Sequence, residues 1–285
     1  MNTPLLLDGA MGTALIDRGL RPGAQPDLWN LERPMTVIEV HGDYRIAGAE
    51  LVTTNSFGSN PIRLRSSRAE GLAPDINRAA VRCAREGGGH LPVAGDMGPT
   101  GEMLIPTGHL SADEARGAFR AQAEHLAQAG VDLFIIETFF NLEEALCALR
   151  AVRDVCSLPV WVSLTFRRTP RGFFTVYGNA PLPSLTRLLE EGAEKAGANC
   201  TLASADMALL AEEIVPSLGE CAFLQPNAGE PQAVDGALSY PESPAQFAEA
   251  MTRIVALHPG AVGGCCGTTP DHIKAVAAVI RRRST

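Results

Sequence analysis

The chain has 285 residues, 46% of them hydrophobic and 20% charged, and its 24 Lys and Arg against 32 Asp and Glu leave a formal net charge of −8. That much apolar material excludes a chain disordered along its length and suffices for a large core. The acidic balance argues against a partner that presents a phosphate backbone, so no nucleic acid is expected.

From the N-terminus, Met1-Asn2-Thr3-Pro4 carries no basic residue and the run Leu5-Leu6-Leu7 is cut by Asp8, which speaks against a secretory signal. No apolar stretch approaches the length of a membrane span, so no membrane is expected and the compartment is predicted to be the cytoplasm. The seven cysteines are odd in number, thinly spread and unlike a disulfide framework.

In chain order, short apolar runs bounded by turn residues predict strands over 4–9, 49–57, 91–98, 132–139, 159–166, 196–200, 221–229 and 261–266. Most are near-continuous in apolar residues, as in parallel strands covered on both faces. Helical spacing is predicted between them over 111–129, 142–155, 182–196, 204–218 and 243–257, and a last helix over 270–282 closes the chain. Ser111 with Glu114 three residues on forms a capping-box signature. Eight strand–helix units in 285 residues leave about 36 residues each, and a (β/α)8 barrel of ordinary size needs roughly 250. The competing open sheet with a dinucleotide loop lacks its fingerprint, because Asp8-Gly9-Ala10-Met11-Gly12-Thr13 has the wrong glycine spacing. The prediction is an α/β chain with one TIM-type barrel and one domain over 1–285.

The chemistry-bearing residues fall where predicted strands end, and in a barrel those ends share one face. In Gly263-Gly264-Cys265-Cys266-Gly267, adjacent cysteines on a regular strand would point to opposite faces. Flanking glycines permit a distorted backbone on which both thiolates converge, with Cys200 at another strand end as a third. Three thiolates suit Zn²⁺, and three protein ligands with one open position is a catalytic arrangement. The alternative is a pair of structural cysteines or a vicinal disulfide. Cys83, Cys147, Cys156 and Cys221 read as core filler.

Asp8 and Glu137 are strand-end carboxylates, and Glu137 follows four apolar residues, a costly place for an unpartnered charge. They suit a cationic group such as an amino acid's ammonium, or else a salt bridge to arginine or a backbone cap. Asp96 fits turn chemistry equally well. Asn227 either serves its own Pro-Asn-Ala-Gly turn or points an oxygen at the metal. His41, His125 and His272 sit in helical patterns as solvated or satisfied side chains.

These strand-end segments, in this order and over essentially the whole chain, resemble the homocysteine S-methyltransferase family. The segments carrying most of the likeness are Gly-Ala-Asn-Cys ending at Cys200 and Gly263-Gly264-Cys265-Cys266-Gly267. Thr54-Asn55-Ser56-Phe57-Gly58, Gly95-Asp96-Met97-Gly98-Pro99, Glu137-Thr138-Phe139 and Pro226-Asn227-Ala228-Gly229 look most like the homocysteine-binding module of cobalamin-dependent methionine synthase. The resemblance implies a zinc barrel with Cys200, Cys265 and Cys266 as ligands, and Asp8 and Glu137 holding the homocysteine ammonium. It also implies backbone N–H groups around Gly9 and Ala10 taking the carboxylate, and Asn227 as a fourth ligand when substrate is absent. The segment Thr201–Asp206 departs from the Gly-rich stretch found there in the family.

The implied reaction moves a methyl group to the homocysteine thiol to give methionine. Because the chain stops at Thr285, the donor is expected from elsewhere: a separate methyl-corrinoid protein, or a small onium compound such as S-methylmethionine, S-adenosylmethionine or betaine. Two rival expectations are a carboxylate–Mg²⁺ lyase built on Asp8, Asp96 and Glu137, and a non-catalytic thiol-binding or corrinoid-docking subunit.

Overall fold

The structure is a computed structural model that describes residues 3–234 and 237–283; Met1 and Asn2, on which part of the signal-sequence argument rests, and Thr285 lie outside them. Eight parallel strands alternate with eight helices. These are β1 (Leu5–Leu6), α1 (Pro34–Ala47), β2 (Val52–Thr53), α2 (Ala73–Gly88), β3 (Val93–Met97), α3 (Ala112–Ala129), β4 (Leu133–Phe139) and α4 (Leu142–Val155). The second half holds β5 (Val160–Leu164), α5 (Pro181–Glu190), β6 (Lys195–Ala203), α6 (Ser204–Leu218), β7 (Ala222–Asn227), α7 (Pro244–Val255), β8 (Ala261–Val262) and α8 (Pro270–Arg283). In the sheet the strands stand in chain order, with β8 paired to β1, which makes this a TIM-type α/β fold.

The seam between β1 and β2 is closed differently from the other seven. Glu50 N–H donates to Leu6 C=O at 2.8 Å, and carboxylates supply the remaining acceptors. Leu6 N–H donates to Glu50 Oε2 at 2.9 Å and Thr53 N–H to Asp8 Oδ2 at 2.7 Å. Asp8 thus completes a ladder that two short strands leave unfinished.

Strand alternation divides the interior into layers. Leu7, Leu51, Ala94, Leu133, Ile135, Trp161, Phe223 and Ala261 pack together as an apolar plug in the barrel's lower half. Two residues further along the same strands, the inward series becomes polar: Asp96 follows Ala94, Glu137 follows Ile135, Ser163 follows Trp161 and Gln225 follows Phe223. A larger apolar layer joins strands to helices, and Phe119, Phe134 and Phe247 are fully buried in it.

Several expectations need correction. The helix expected over 182–196 stops at Glu190, because Gly192 turns with φ +101 and Lys195 already belongs to β6. Helices α1 and α2 were not delimited in the sequence, since Pro34 and Pro74 open them where loop punctuation is the simpler reading. Cys83 and Cys147 are buried filler as expected, Cys156 is half-buried, and Cys221 is exposed in a turn before β7. His272 is satisfied by Thr269 and by the Glu242 carbonyl, as expected. His41 is neither solvated nor satisfied: it is fully buried, and neither ring nitrogen has a hydrogen-bond partner among the described residues. Burial alone pushes it down to about 4, so it is neutral at physiological pH.

The capping box is formed. Ser111 Oγ accepts from Glu114 N–H at 3.2 Å and Glu114 Oε2 accepts from Ser111 N–H at 3.0 Å. Ser111→Ala should therefore cost about 1 kcal/mol and lower Tm by roughly 2–4 °C in thermal denaturation. An unchanged Tm would show that the exposed cap contributes nothing.

Candidate metal and substrate site at the barrel mouth

The cysteine pair lies beyond the end of β8, where strand alternation no longer separates adjacent side chains. Cys265 N–H donates to Pro226 C=O at 2.8 Å, Cys266 C=O accepts from Ala228 N–H at 3.0 Å, and Thr268 Oγ donates to Cys265 C=O at 2.7 Å. The turn is thereby fastened to the end of β7. Its glycines act differently from expectation. Gly263 and Gly264 are needed for close approach, since a Cβ would lie 2.7 Å from Leu7 Cβ and 2.5 Å from Thr268 Oγ1 respectively. Only Gly267 adopts left-handed backbone, with φ +79, under the ring of Tyr240.

Cys200 arrives by another device. The pairing of β6 with β7 shifts register between Asn199 and Ala203, and Cys200 and Thr201 both sit at φ +60. A bulge re-aims side chains at a strand end, and this one brings Cys200 Sγ to 3.8 Å from Cys266 Sγ. The departure from a Gly-rich segment is therefore accommodated with strain, because a β-branched residue at positive φ is disfavoured.

Among the described residues, Cys200, Cys265 and Cys266 are the one group whose ligand atoms all lie within 4.8 Å of one another, and together they could hold a metal ion. Tetrahedral coordination at a Zn–S distance of about 2.3 Å puts sulfurs roughly 3.8 Å apart, which the Cys200–Cys266 separation matches. Left to themselves, the thiols compete for protons. Hydrogen bonds from Cys200 and Cys265 push Cys266 down to about 3, while hydrogen bonding with Cys200 and Cys266, and burial, push Cys265 well up. A divalent cation would remove that competition by ionising all three. Asn227 stands between Pro226 and Ala228, the residues bonded to the cysteine pair, and its buried Oδ1 has no partner among the described residues.

Asp8, Asp96 and Glu137 line the same cavity of about 980 Å³ as the three cysteines, yet they form no metal-sized group. The Mg²⁺-lyase arrangement therefore lacks its geometry. Among the described residues, neither an arginine salt bridge nor backbone capping accounts for Glu137. It sits on a second bulge, where β4 shifts register against β5 between Ile136 and Phe139 and Thr138 takes φ +65. Burial first, then the charges of Cys266 and Asp8, push Glu137 up to about 8. Burial pushes Asp8 up to about 7 against the hydrogen bonds from Thr53. Gly9 lines the cavity too, and a Cβ there would lie 2.7 Å from Thr268 Oγ1 and 2.8 Å from Tyr44 Cε1. The Ala10 N–H, expected to face a ligand, donates to Thr268 Oγ1 at 3.1 Å.

Two site residues were not assigned roles from the sequence. Asn199, fully buried, accepts at Oδ1 from Thr138 N–H and Ser163 Oγ, each at 2.8 Å, and donates from Nδ2 to Glu137 Oε2 at 3.0 Å and Thr138 Oγ1 at 2.6 Å. It lies beside Cys200 in an apolar-looking strand, and only the cost of burying an amide there marks it. Tyr240 packs against Gly267 beside the pair and helps hold the Cys266 thiol down; it comes from the loop after β7, where no sequence spacing ties it to the pair.

The family profile described as homocysteine S-methyltransferase matches residues 5–280. The methionine synthase of Mycobacterium leprae is 31% identical over 296 residues, an alignment covering 96% of this chain and 24% of that protein, so the chain spans about a quarter of its length. The metallated form of the Escherichia coli homocysteine methyltransferase MmuM is 27% identical, with a TM-score of 0.77 over 97% of this chain and 96% of that one. Its oxidized form is 26% identical, with a TM-score of 0.79 over 96% and 95%. A methyltransferase from Methanosarcina mazei, 11% identical at a TM-score of 0.60 over 99% and 94%, shares the fold. With its cysteines and carboxylates gathered at one barrel mouth, the chain belongs to the homocysteine S-methyltransferase family.

Proposed function

We propose that this chain is a zinc-dependent methyltransferase that moves a methyl group to the thiol of homocysteine, giving methionine, as a single barrel domain over 1–285. The observation that carries this reading is the convergence of three thiols and two strand-end carboxylates on one cavity. Cys200, Cys265 and Cys266 would hold the zinc, with Asn227 Oδ1 as the further oxygen beside them. Zinc held by three thiolates supplies a thiolate form of the bound substrate sulfur at a pH where a free thiol, pKa near 8.5, is mostly protonated. Glu137 and Asp8 favour the substrate ammonium by charge, and the carboxylate is assigned to backbone beside Gly9, the Ala10 N–H being engaged by Thr268 Oγ1. Orienting both ends of the substrate places its sulfur for in-line attack on the methyl group.

The donor in this reading is a methyl-corrinoid protein, with a small onium compound as the competing class. The compartment is the cytoplasm, where three free thiols stay reduced; no described helix is long and apolar enough to cross a membrane. The test is an assay of zinc-loaded protein with homocysteine and, separately, methylcobalamin, S-methylmethionine, S-adenosylmethionine and betaine. Methionine formed with one of them supports the proposal and names the donor class. Tight homocysteine binding with no methionine from any donor would leave a non-catalytic thiol-binding subunit instead.

A further inference from the structure

The cavity is larger than the thiol substrate requires, and its charge is unevenly placed. At about 980 Å³ it has room for a drug-sized ligand, and an amino acid as small as homocysteine leaves most of it free. Besides the cysteines, its lining holds the carboxylates Asp8, Asp27, Asp96, Glu102 and Glu137, and the only cations in it are Arg63 and Arg65. Both arginines lie between β2 and α2. With eight strands in chain order, the ends of β2 and β3 face those of β6 and β7 across the mouth. The cations therefore stand on the side opposite the cysteines.

Arg63 is built into its position. Its backbone N–H donates to Asn60 Oδ1 at 2.9 Å, the cap of the short helical turn Pro61–Leu64. Its guanidinium carbon lies 5.5 Å from the centre of the Phe57 ring, within cation–π range. Phe57 is seated on Gly98, where a Cβ would overlap the ring, and Gly101, at φ +82, leaves space in which a Cβ would lie 2.9 Å from Arg63 Nη1.

Arg63 is half-buried, yet its guanidinium forms no ion pair and donates no hydrogen bond among the described residues. Asp27, close by, accepts from Gly58 N–H and Ser59 Oγ at Oδ1 and from Gln25 Nε2 at Oδ2. Glu144 feels the Arg63 charge but gives Oε1 to the N–H and hydroxyl of Thr100. Glu102, exposed on the loop after β3, forms no ion pair with Arg63 either. A guanidinium presents a rigid fork of donors that matches a carboxylate bidentately, and this fork has no such partner within the chain.

The thiols and carboxylates of the inner wall attract a cationic methyl donor and repel any carboxylate that the donor carries. A carboxylate resting on Arg63 leaves the methylated centre free to face the cysteines across the mouth. We propose that Arg63, stacked on Phe57, is the recognition residue of a second subsite, which takes a carboxylate carried by the methyl donor. The proposal rests on the methyl-transfer reading above and specifies its small-donor class: onium compounds with a carboxylate set apart from the methylated centre.

The experiment compares metal-loaded wild-type, Arg63→Gln and Arg63→Lys proteins with S-methylmethionine and S-adenosylmethionine, each against its decarboxylated counterpart. Donor Kd is measured calorimetrically without thiol, and KM and kcat with homocysteine wherever transfer occurs. Losing a charge-assisted, bidentate contact predicts that Arg63→Gln weakens Kd and KM for the carboxylate member of a pair by roughly 10- to 100-fold. The decarboxylated member should bind as it does to wild type, and the homocysteine Kd should not move. Arg63→Lys, which keeps the charge and loses the fork, should recover part of the loss. A wild type without preference for the carboxylate member of either pair overturns the proposal. So does an equal loss for both members in Arg63→Gln, or an equal loss of homocysteine affinity, since either would make Arg63 a prop for the surrounding loops. If no donor yields methionine with wild-type protein, the activity reading fails, while the paired Kd values still decide the role of Arg63.

Discussion

Cys265→Ser and Cys266→Ser proteins are expected to bind substantially less than one zinc per chain and to lose roughly 10³-fold or more in methyl transfer to homocysteine. A serine hydroxyl is a hard, protonated donor where the geometry offers a soft, ionisable one, and three sulfurs are the whole of the metal-sized group among the described residues. Losing an ionised bound sulfur removes several kcal/mol of nucleophile activation, and each 1.36 kcal/mol is a factor of ten. Cys200→Ser should behave alike, because its sulfur lies 3.8 Å from that of Cys266 although 66 residues separate them. Cys221→Ser is the control, since that thiol is exposed on a turn at the opposite end of β7. Elemental analysis and a transfer assay give the two readouts. Wild-type zinc content together with wild-type rates in both Cys265→Ser and Cys266→Ser would remove the metal from the mechanism.

Much of this site is legible in the sequence. Eight apolar runs located eight strands, and their ends located the mouth, because parallel strands share a direction and so deliver their last residues to one face. The cysteine pair was legible through its glycines, although Gly263 and Gly264 turn out to admit neighbouring atoms rather than a left-handed backbone. What stayed hidden depends on non-local contacts. The bulges that swing Cys200 and Glu137 into place sit at Thr138 and Thr201, β-branched residues for which positive φ is a poor guess. The role of Asp8 at the β1–β2 seam depends on how short those strands are. Tyr240 reaches Gly267, beside the cysteine pair, from a loop, and no periodicity encodes that contact. Asn199 joins the two bulges, and its partners Glu137, Thr138 and Ser163 come from two other strands.

That junction carries the other large expected effect. Asn199→Ala should destabilise the protein by about 3 kcal/mol, lower Tm by roughly 5–10 °C, and raise KM for homocysteine at least tenfold. The substitution strands the part-buried Thr138 N–H and the buried Ser163 Oγ, and it leaves Glu137 Oε2 without its donor. Each orphaned buried group costs about 1–3 kcal/mol, less where cavity water can reach it. Thr138 holds φ +65 partly through the two hydrogen bonds that Asn199 makes to it, so relaxation of that strain would carry Glu137 away from the substrate. Asn199→Asp separates the two consequences. It keeps an acceptor for Thr138 and Ser163 but faces Glu137 with a second carboxylate oxygen, so more of the stability should survive than of the homocysteine affinity. Ser163→Ala removes one of the bonds to Oδ1 and should cost no more than about 1.5 kcal/mol. Thermal denaturation and homocysteine titration of the three variants measure both effects. A Tm within 2 °C of wild type and an unaltered KM for Asn199→Ala would mean that the bulges hold their shape without the clasp.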